Sequence, residues 1–139
     1  MKTRKFGDEL IVCLSRGDIL PDVLVDVIRQ HDITAAVIRG IGALKDVELG
    51  YFNIDTAVYE KKFFSGSYEL VALNGNLGWA GDDAVMHLHA AIAGPDLVLH
   101  GGHLFKGTIS VTGEFFLKTM DTRIERQDDK LSGLKLWNI

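Results

Sequence analysis

His87, His89 and His103 are the side chains whose type and spacing could do chemistry together. The first two stand in Met86-His87-Leu88-His89-Ala90 and the third in Gly101-Gly102-His103-Leu104. Side chains of an extended segment alternate between faces, so a His-x-His pair presents both rings on one side, with Cα atoms roughly 6.6 Å apart. Neutral imidazole is the commonest metal ligand, and three protein ligands leave one coordination position of a tetrahedral ion open. Three histidines so placed could hold zinc or a similar divalent ion and leave room for water or a substrate. The residues alone leave a plainer alternative open, two half-exposed histidines on a sheet with a third unrelated to them. His100 is a fourth imidazole nearby and ranks below these three.

The elements that must position these rings are mostly strands. Val85, His87, His89 and Ala91 share one face, and Met86, Leu88, Ala90 and Ile92 form an all-apolar reverse side, which predicts a strand over 84–93 packed inward behind the histidines. Thirteen residues containing Gly94-Pro95-Asp96 separate His89 from His103, enough for a turn and a returning strand, and Gly101-Gly102 allows close backbone approach. Further strands are expected over 8–15, 35–41, 46–53, 56–64, 68–73, 108–117 and 123–127, most of them bounded by glycine, asparagine or aspartate. Val23, Leu24, Val27 and Ile28 recur at helical spacing after Pro21, predicting one helix from Asp18 or Leu20 to about His31-Asp32. With fifteen glycines, two prolines and no internal repeat or linker, residues 1–139 are expected to form a single domain.

On the strand over 108–117, Ser110, Thr112 and Glu114 share a face opposite Ile109, Val111, Phe115 and Leu117. Glu114 is the natural carboxylate partner for the histidines, to orient an imidazole N–H or to act as general base; a solvated strand carboxylate is the alternative. Gly40-Ile41-Gly42 lacks the third glycine and following helix of a dinucleotide fingerprint and reads as a strand end. Cys13, the only cysteine, lies in an apolar segment and reads as core, while Ser15 and Ser65 have no nucleophile-elbow context. Tyr51, Phe52, Phe63, Phe64, Phe115 and Phe116 alternate within strands, with few basic residues between them, and read as core or subunit interface rather than a base-stacking platform.

Charge points away from polyanions, since 15 basic residues stand against 19 acidic ones for a formal net charge of −4. One cysteine excludes an internal disulfide and suits a reducing compartment, and no apolar run reaches the ~18 residues of a spanning helix. A cytoplasmic location without membrane attachment is expected.

The chain resembles the plant and prokaryote conserved (PPC) domain over nearly its whole length. The resemblance is carried, in order, by Arg16-Gly17-Asp18, Gly40-Ile41-Gly42-Ala43-Leu44, Leu49-Gly50-Tyr51-Phe52, Leu73-Asn74-Gly75-Asn76-Leu77, His87-Leu88-His89, Gly101-Gly102-His103-Leu104 and Gly113-Glu114-Phe115. It implies an α+β domain with a mixed, largely antiparallel sheet and one principal helix, assembled as a homotrimer. It also implies a metal trio, here His87, His89 and His103, with zinc as the expected ion. The plant partner-contact segment corresponds to Gly66-Ser67-Tyr68-Glu69-Leu70-Val71; Gly66, Tyr68 and Glu69 fit it, and Ser67 departs from its arginine. Family association implies DNA binding, although the Arg-Gly-Arg-Pro hook by which plant members enter the minor groove is absent. The histidine arrangement is also similar to that of acetolactate decarboxylase, a zinc enzyme. Two functions are therefore expected to compete: a metal-bearing binding module, and a zinc-dependent lyase or hydrolase acting on a small carbonyl or carboxylate substrate.

Overall fold

Alternation of apolar and polar residues builds the fold as a long-stranded sheet closed on itself, with a single helix. A computed structural model describes residues 1–139. The elements are β1 (Lys2–Phe6), β2 (Glu9–Ser15), β3 (Ile19–Leu20), α1 (Asp22–Gln30), β4 (Ala36–Asn53), β5 (Val58–Ala80), β6 (Asp83–Ala93), β7 (Leu99–Thr119), β8 (Glu125–Asp128) and β9 (Lys135–Asn138). The order β1-β2-β7-β4-β5 runs through the main sheet, and β6 pairs with both β5 and β7. The four long strands β4, β5, β6 and β7 thus close into a ring. All ladders are antiparallel except the single Trp79–Glu125 contact that joins β8 to β5, so the sheet is mixed and largely antiparallel as expected.

The ring encloses the core. Leu88, Ala90 and Ile92 of β6 point inward with Leu44 and Val47 of β4, Leu70 and Leu73 of β5, and Leu104, Ile109 and Phe115 of β7, all buried. Helix α1 turns Leu24, Val27 and Ile28 onto this cluster. It begins at Asp22, one residue after Pro21, because proline occupies the N-cap position where a missing N–H is harmless.

Three expectations change. The runs expected at 35–41 and 46–53 are one strand, β4, and those at 56–64 and 68–73 are both part of β5. The glycines between them mark bends inside continuous strands, where register shifts occur between Gly40 and Gly42 and between Lys45 and Val47. Cys13 is exposed, because Val12 and Leu14 take the inward positions on either side of it. Val111 is 70% exposed rather than inward, since it lies in a bulge of β7: four residue steps from Ile109 to Gly113 stand opposite two of β4, from Leu44 to Gly42.

Candidate metal centre

Strand parity and ring closure together assemble the three histidines. His87 and His89 lie on the outer face of β6, behind which Leu88 and Ala90 are buried. His103 stands directly across from His89 in the β6–β7 ladder. Gly102 makes this crossing possible: a Cβ there would sit 2.7 Å from the carbonyl oxygen of Gly50, which pairs with His103. No side chain fits between the strands at that point.

The ligand-capable nitrogens of the three rings all lie within 4.8 Å of one another. Nε2 of His87 and Nε2 of His89 are 3.2 Å apart. Two zinc–nitrogen bonds of about 2.0–2.1 Å at a tetrahedral angle set their nitrogens about 3.3 Å apart, so the pair already has the spacing of a chelate. His103 Nδ1 is buried and has no hydrogen-bond partner, an arrangement that costs free energy until something occupies that nitrogen. The donor set therefore fits a borderline divalent cation such as zinc.

Burial, first of all, lowers the His103 pKa to about 4, helped by the nearby charges of His87, His89 and Lys61. His87 is also lowered, by burial and then by His89 and Arg126. Both rings are held neutral, the form a metal needs. A consequence for the metal-free protein follows from linkage. The unfolded chain protonates these histidines near the ordinary pKa of about 6.5, whereas the folded chain resists protonation of His103 until about 4. The stability they contribute is complete above pH ~6.5 and is lost as pH falls toward about 4. Melting curves of metal-free protein from pH 7 to 5 should show a falling Tm, with a shallower fall in His103→Ala; parallel slopes would contradict this account.

Two cavities meet at the cluster. One of 320 Å³ is lined by all three histidines with Gly50, Tyr51, Tyr59 and Gly102 among others. The other, of 270 Å³, is shared by His87 and His103 with Tyr59, Met86 and Arg126. The Tyr59 ring lies 5.1 Å from that of His103 and the Phe105 ring 4.7 Å from it, with Tyr59 and Phe105 in mutual contact at 5.0 Å. Arg126 donates from Nη2 to Asn76 Oδ1 at 2.6 Å, and Asn76 is the ladder partner of His87. Sequence spacing gave no sign of Arg126 or Tyr59, because each arrives through long-range strand pairing.

Glu114 does not join the cluster within one chain. It pairs with Ile41 and Cys13 on the far half of β7, and from β6 the path to it crosses β5 and β4. The ligand-capable group consists of His87, His89 and His103, and Glu114 instead lines a depression with Arg39, Ile41, Asn74 and Phe116. His100 faces away as well, its ring 4.9 Å from that of Phe64. Tyr68 and Glu69 line a separate depression with Arg16, Lys45 and Leu97, and Gly66 takes a left-handed φ of 91° at the bend before them. No helix is long and apolar enough to cross a membrane.

A model of the family described as the Plants and Prokaryotes Conserved (PCC) domain matches residues 1–121. A protein of Bacteroides thetaiotaomicron, provisionally named DNA-binding, superposes with a TM-score of 0.95 at 27% identity, over 99% of this chain and 96% of that one. A plant- and prokaryote-conserved protein of Pyrococcus horikoshii gives 0.88 at 30% identity, over 96% and 92%. A protein of Archaeoglobus fulgidus described as metal-containing gives 0.87 at 29% identity, with each chain covered in full. No curated protein matches the sequence.

Proposed function

The chain belongs to the Plants and Prokaryotes Conserved domain family, and on that premise we propose that it is a metal-bearing domain, acting as a homotrimer, that takes a small ligand beside the ion. The observation that carries this reading is the convergence of three imidazoles on nitrogens within 4.8 Å, one of them buried and unpartnered. His87, His89 and His103 would hold the ion, and the metal-containing relative supports the assignment. Zinc there supplies Lewis acidity toward an oxygen ligand. The protein's own part is to keep the rings neutral, to orient them through β6 and β7, and to wall the site with Tyr59 and Phe105. Titration of zinc into metal-free protein should reach one ion per chain. No binding, or binding unchanged when all three histidines are alanine, would overturn the reading.

The trimer is supported by exposed apolar side chains on neighbouring strands. Ile41, Val71 and Val111 are 57%, 47% and 70% exposed and line one depression of 460 Å³ with Glu69 and Glu114. Soluble monomers rarely leave such a contiguous apolar patch open. Native mass measurement should find three copies of the 15.3 kDa chain, and Val111→Asp should shift the assembly toward monomer. A wild-type monomer would overturn the assignment. Tyr68 and Glu69, on the adjoining surface, are the residues proposed to meet protein partners.

Two further readings each have one observation in their favour. The cavities that meet at the cluster favour a zinc-dependent lyase or hydrolase acting on a small carbonyl or carboxylate compound. For Glu114 to move a proton in such a reaction it would have to come from another copy of the chain. Turnover of an activated ester or β-keto acid by zinc-loaded protein, absent from the triple histidine variant, would establish it. The provisional name of the Bacteroides relative favours DNA binding, against a net charge of −4. Binding to duplex DNA at physiological salt, weakening steeply as salt rises, is the signature to look for.

A further inference from the structure

Arg126 is the one charged group at the histidine cluster with neither a carboxylate partner nor full exposure. It lies on β8, in the segment beyond the residues that the family model matches. Its guanidinium is fixed in place: Nη2 donates to Asn76 Oδ1 at 2.6 Å, and Nη1 to the Lys135 carbonyl oxygen at 2.8 Å. A Cβ on Gly78 would stand 2.8 Å from Nε, so the side chain lies flat against bare backbone of β5. Nε is buried without a partner. A guanidinium has five N–H donors, and two of them are used here.

The 270 Å³ cavity beside it is lined by His87, His103 and Arg126, with Val85, Met86, Leu134 and Leu136 among its walls. No aspartate or glutamate lines it. The only other cation there, Lys135, is already paired with Asp128 at 2.9 Å. Such a chamber, apolar in its walls and carrying one immobilised guanidinium in an otherwise acidic protein, matches one charge on a small carbon body. An Arg fork recognises a planar carboxylate through paired N–H donors. A phosphate would bring more charge than the single free cation offsets, and it has no carbon skeleton for Met86 or Leu136 to cover.

We infer that Arg126 forms the anion-binding half of the site, and that the ligand beside the histidines is a short-chain carboxylate whose charged end lies on Arg126. This rests on the reading of the cluster as a ligand-taking metal site and gives that ligand a chemical class. With its carboxylate on Arg126, the opposite end of such a molecule is directed toward His87 and His103. Asn76 couples the two halves, since it accepts from Arg126 and pairs with His87 in the β5–β6 ladder.

The test uses 2-hydroxybutyrate, its uncharged amide and inorganic phosphate, titrated into metal-free and zinc-loaded full-length protein. The carboxylate should bind both forms, the zinc form more tightly, with the amide and phosphate each at least tenfold weaker. In wild-type protein the Arg126 Nε–H and Gly78 amide resonances should shift on binding, a readout that needs no variant. Arg126→Gln should lose at least tenfold in carboxylate affinity while keeping its zinc stoichiometry, and Arg126→Lys should fall between. Equal binding of amide and carboxylate, tighter binding of phosphate, absence of carboxylate binding, or unmoved Arg126 and Gly78 resonances would each overturn the inference. Failure of the metal reading is separately visible as zinc stoichiometry near zero, with carboxylate binding to metal-free protein still measurable.

Discussion

His89→Ala is expected to lower zinc affinity by roughly 100-fold or more without changing the stability of the metal-free protein. The size follows from the ligand count. Structural zinc sites with four ligands bind with apparent free energies of about 10–16 kcal/mol, on the order of 3 kcal/mol per ligand, and each 1.4 kcal/mol is a factor of ten. The selectivity follows from position. His89 is exposed on the outer face of β6, and its loss leaves no hole, because Leu88 and Ala90 provide the inward packing. His103→Ala should lose as much affinity and should also alter the fold slightly. Its ring packs against the Tyr59–Phe105 pair at 5.1 and 4.7 Å, while its unpartnered Nδ1 is a cost that alanine removes. Competition titrations against a chromogenic chelator, run beside thermal melts of metal-free protein, measure both quantities. Wild-type zinc affinity in His89→Ala would show that the ion is not held by this trio.

Phe115→Ala is expected to cost about 3–5 kcal/mol, the range for removing a buried aromatic ring. Phe115 is fully buried at the middle of the ring of strands. Its edges fill the space left by two glycines, so a Cβ at Gly40 would overlap Cδ1 of the ring and one at Gly113 would lie 2.7 Å from Cε2. Neither backbone can move inward to close the gap, since Gly40 and Gly113 sit in the β4–β7 ladder. For a chain of this size each kcal/mol moves Tm by roughly 2–4 °C, or by somewhat more toward 100 residues, so a fall of about 10 °C is expected. Denaturant melts of metal-free protein would measure it, and a change below about 1 kcal/mol would mean that the strands collapse onto the space.

The histidine trio was legible in the sequence because period-two alternation is a local rule. Leu88, Ala90 and Ile92 face inward, which fixes His87 and His89 outward whatever the rest of the chain does. The pairing of His89 with His103 was legible only as a returning strand; its register depends on Gly102 meeting Gly50, a contact between distant segments. The strands run longer than their glycines suggest for a physical reason. Gly40 and Gly42 end strands in many proteins, but here each bends a strand that continues because it stays paired with both β5 and β7, and β5 likewise runs on past Gly66 at the shift opposite Lys45 and Val47. Glu114 shows the limit of face-sharing arguments: it stands on the same strand as His103, yet His103 pairs with Gly50 at one end of β4 while Glu114 pairs with Ile41 toward the other. Arg126 was invisible, since its position depends on β8 meeting β5 at a single residue pair.

The closure of the ring has a kinetic consequence. β6 meets β7 through five residue pairs, from His89–His103 to Ala93–Leu99, a far shorter ladder than β4 makes with β5 or β7. A cylinder opens first along its shortest seam, and His89–His103 is the last rung of that seam. An ion held there works as a rivet: the wall cannot part until the ion has left. Amide hydrogen exchange at Ala90 through Ala93 should therefore slow when zinc is bound, turning a binding equilibrium into a lifetime for the closed barrel.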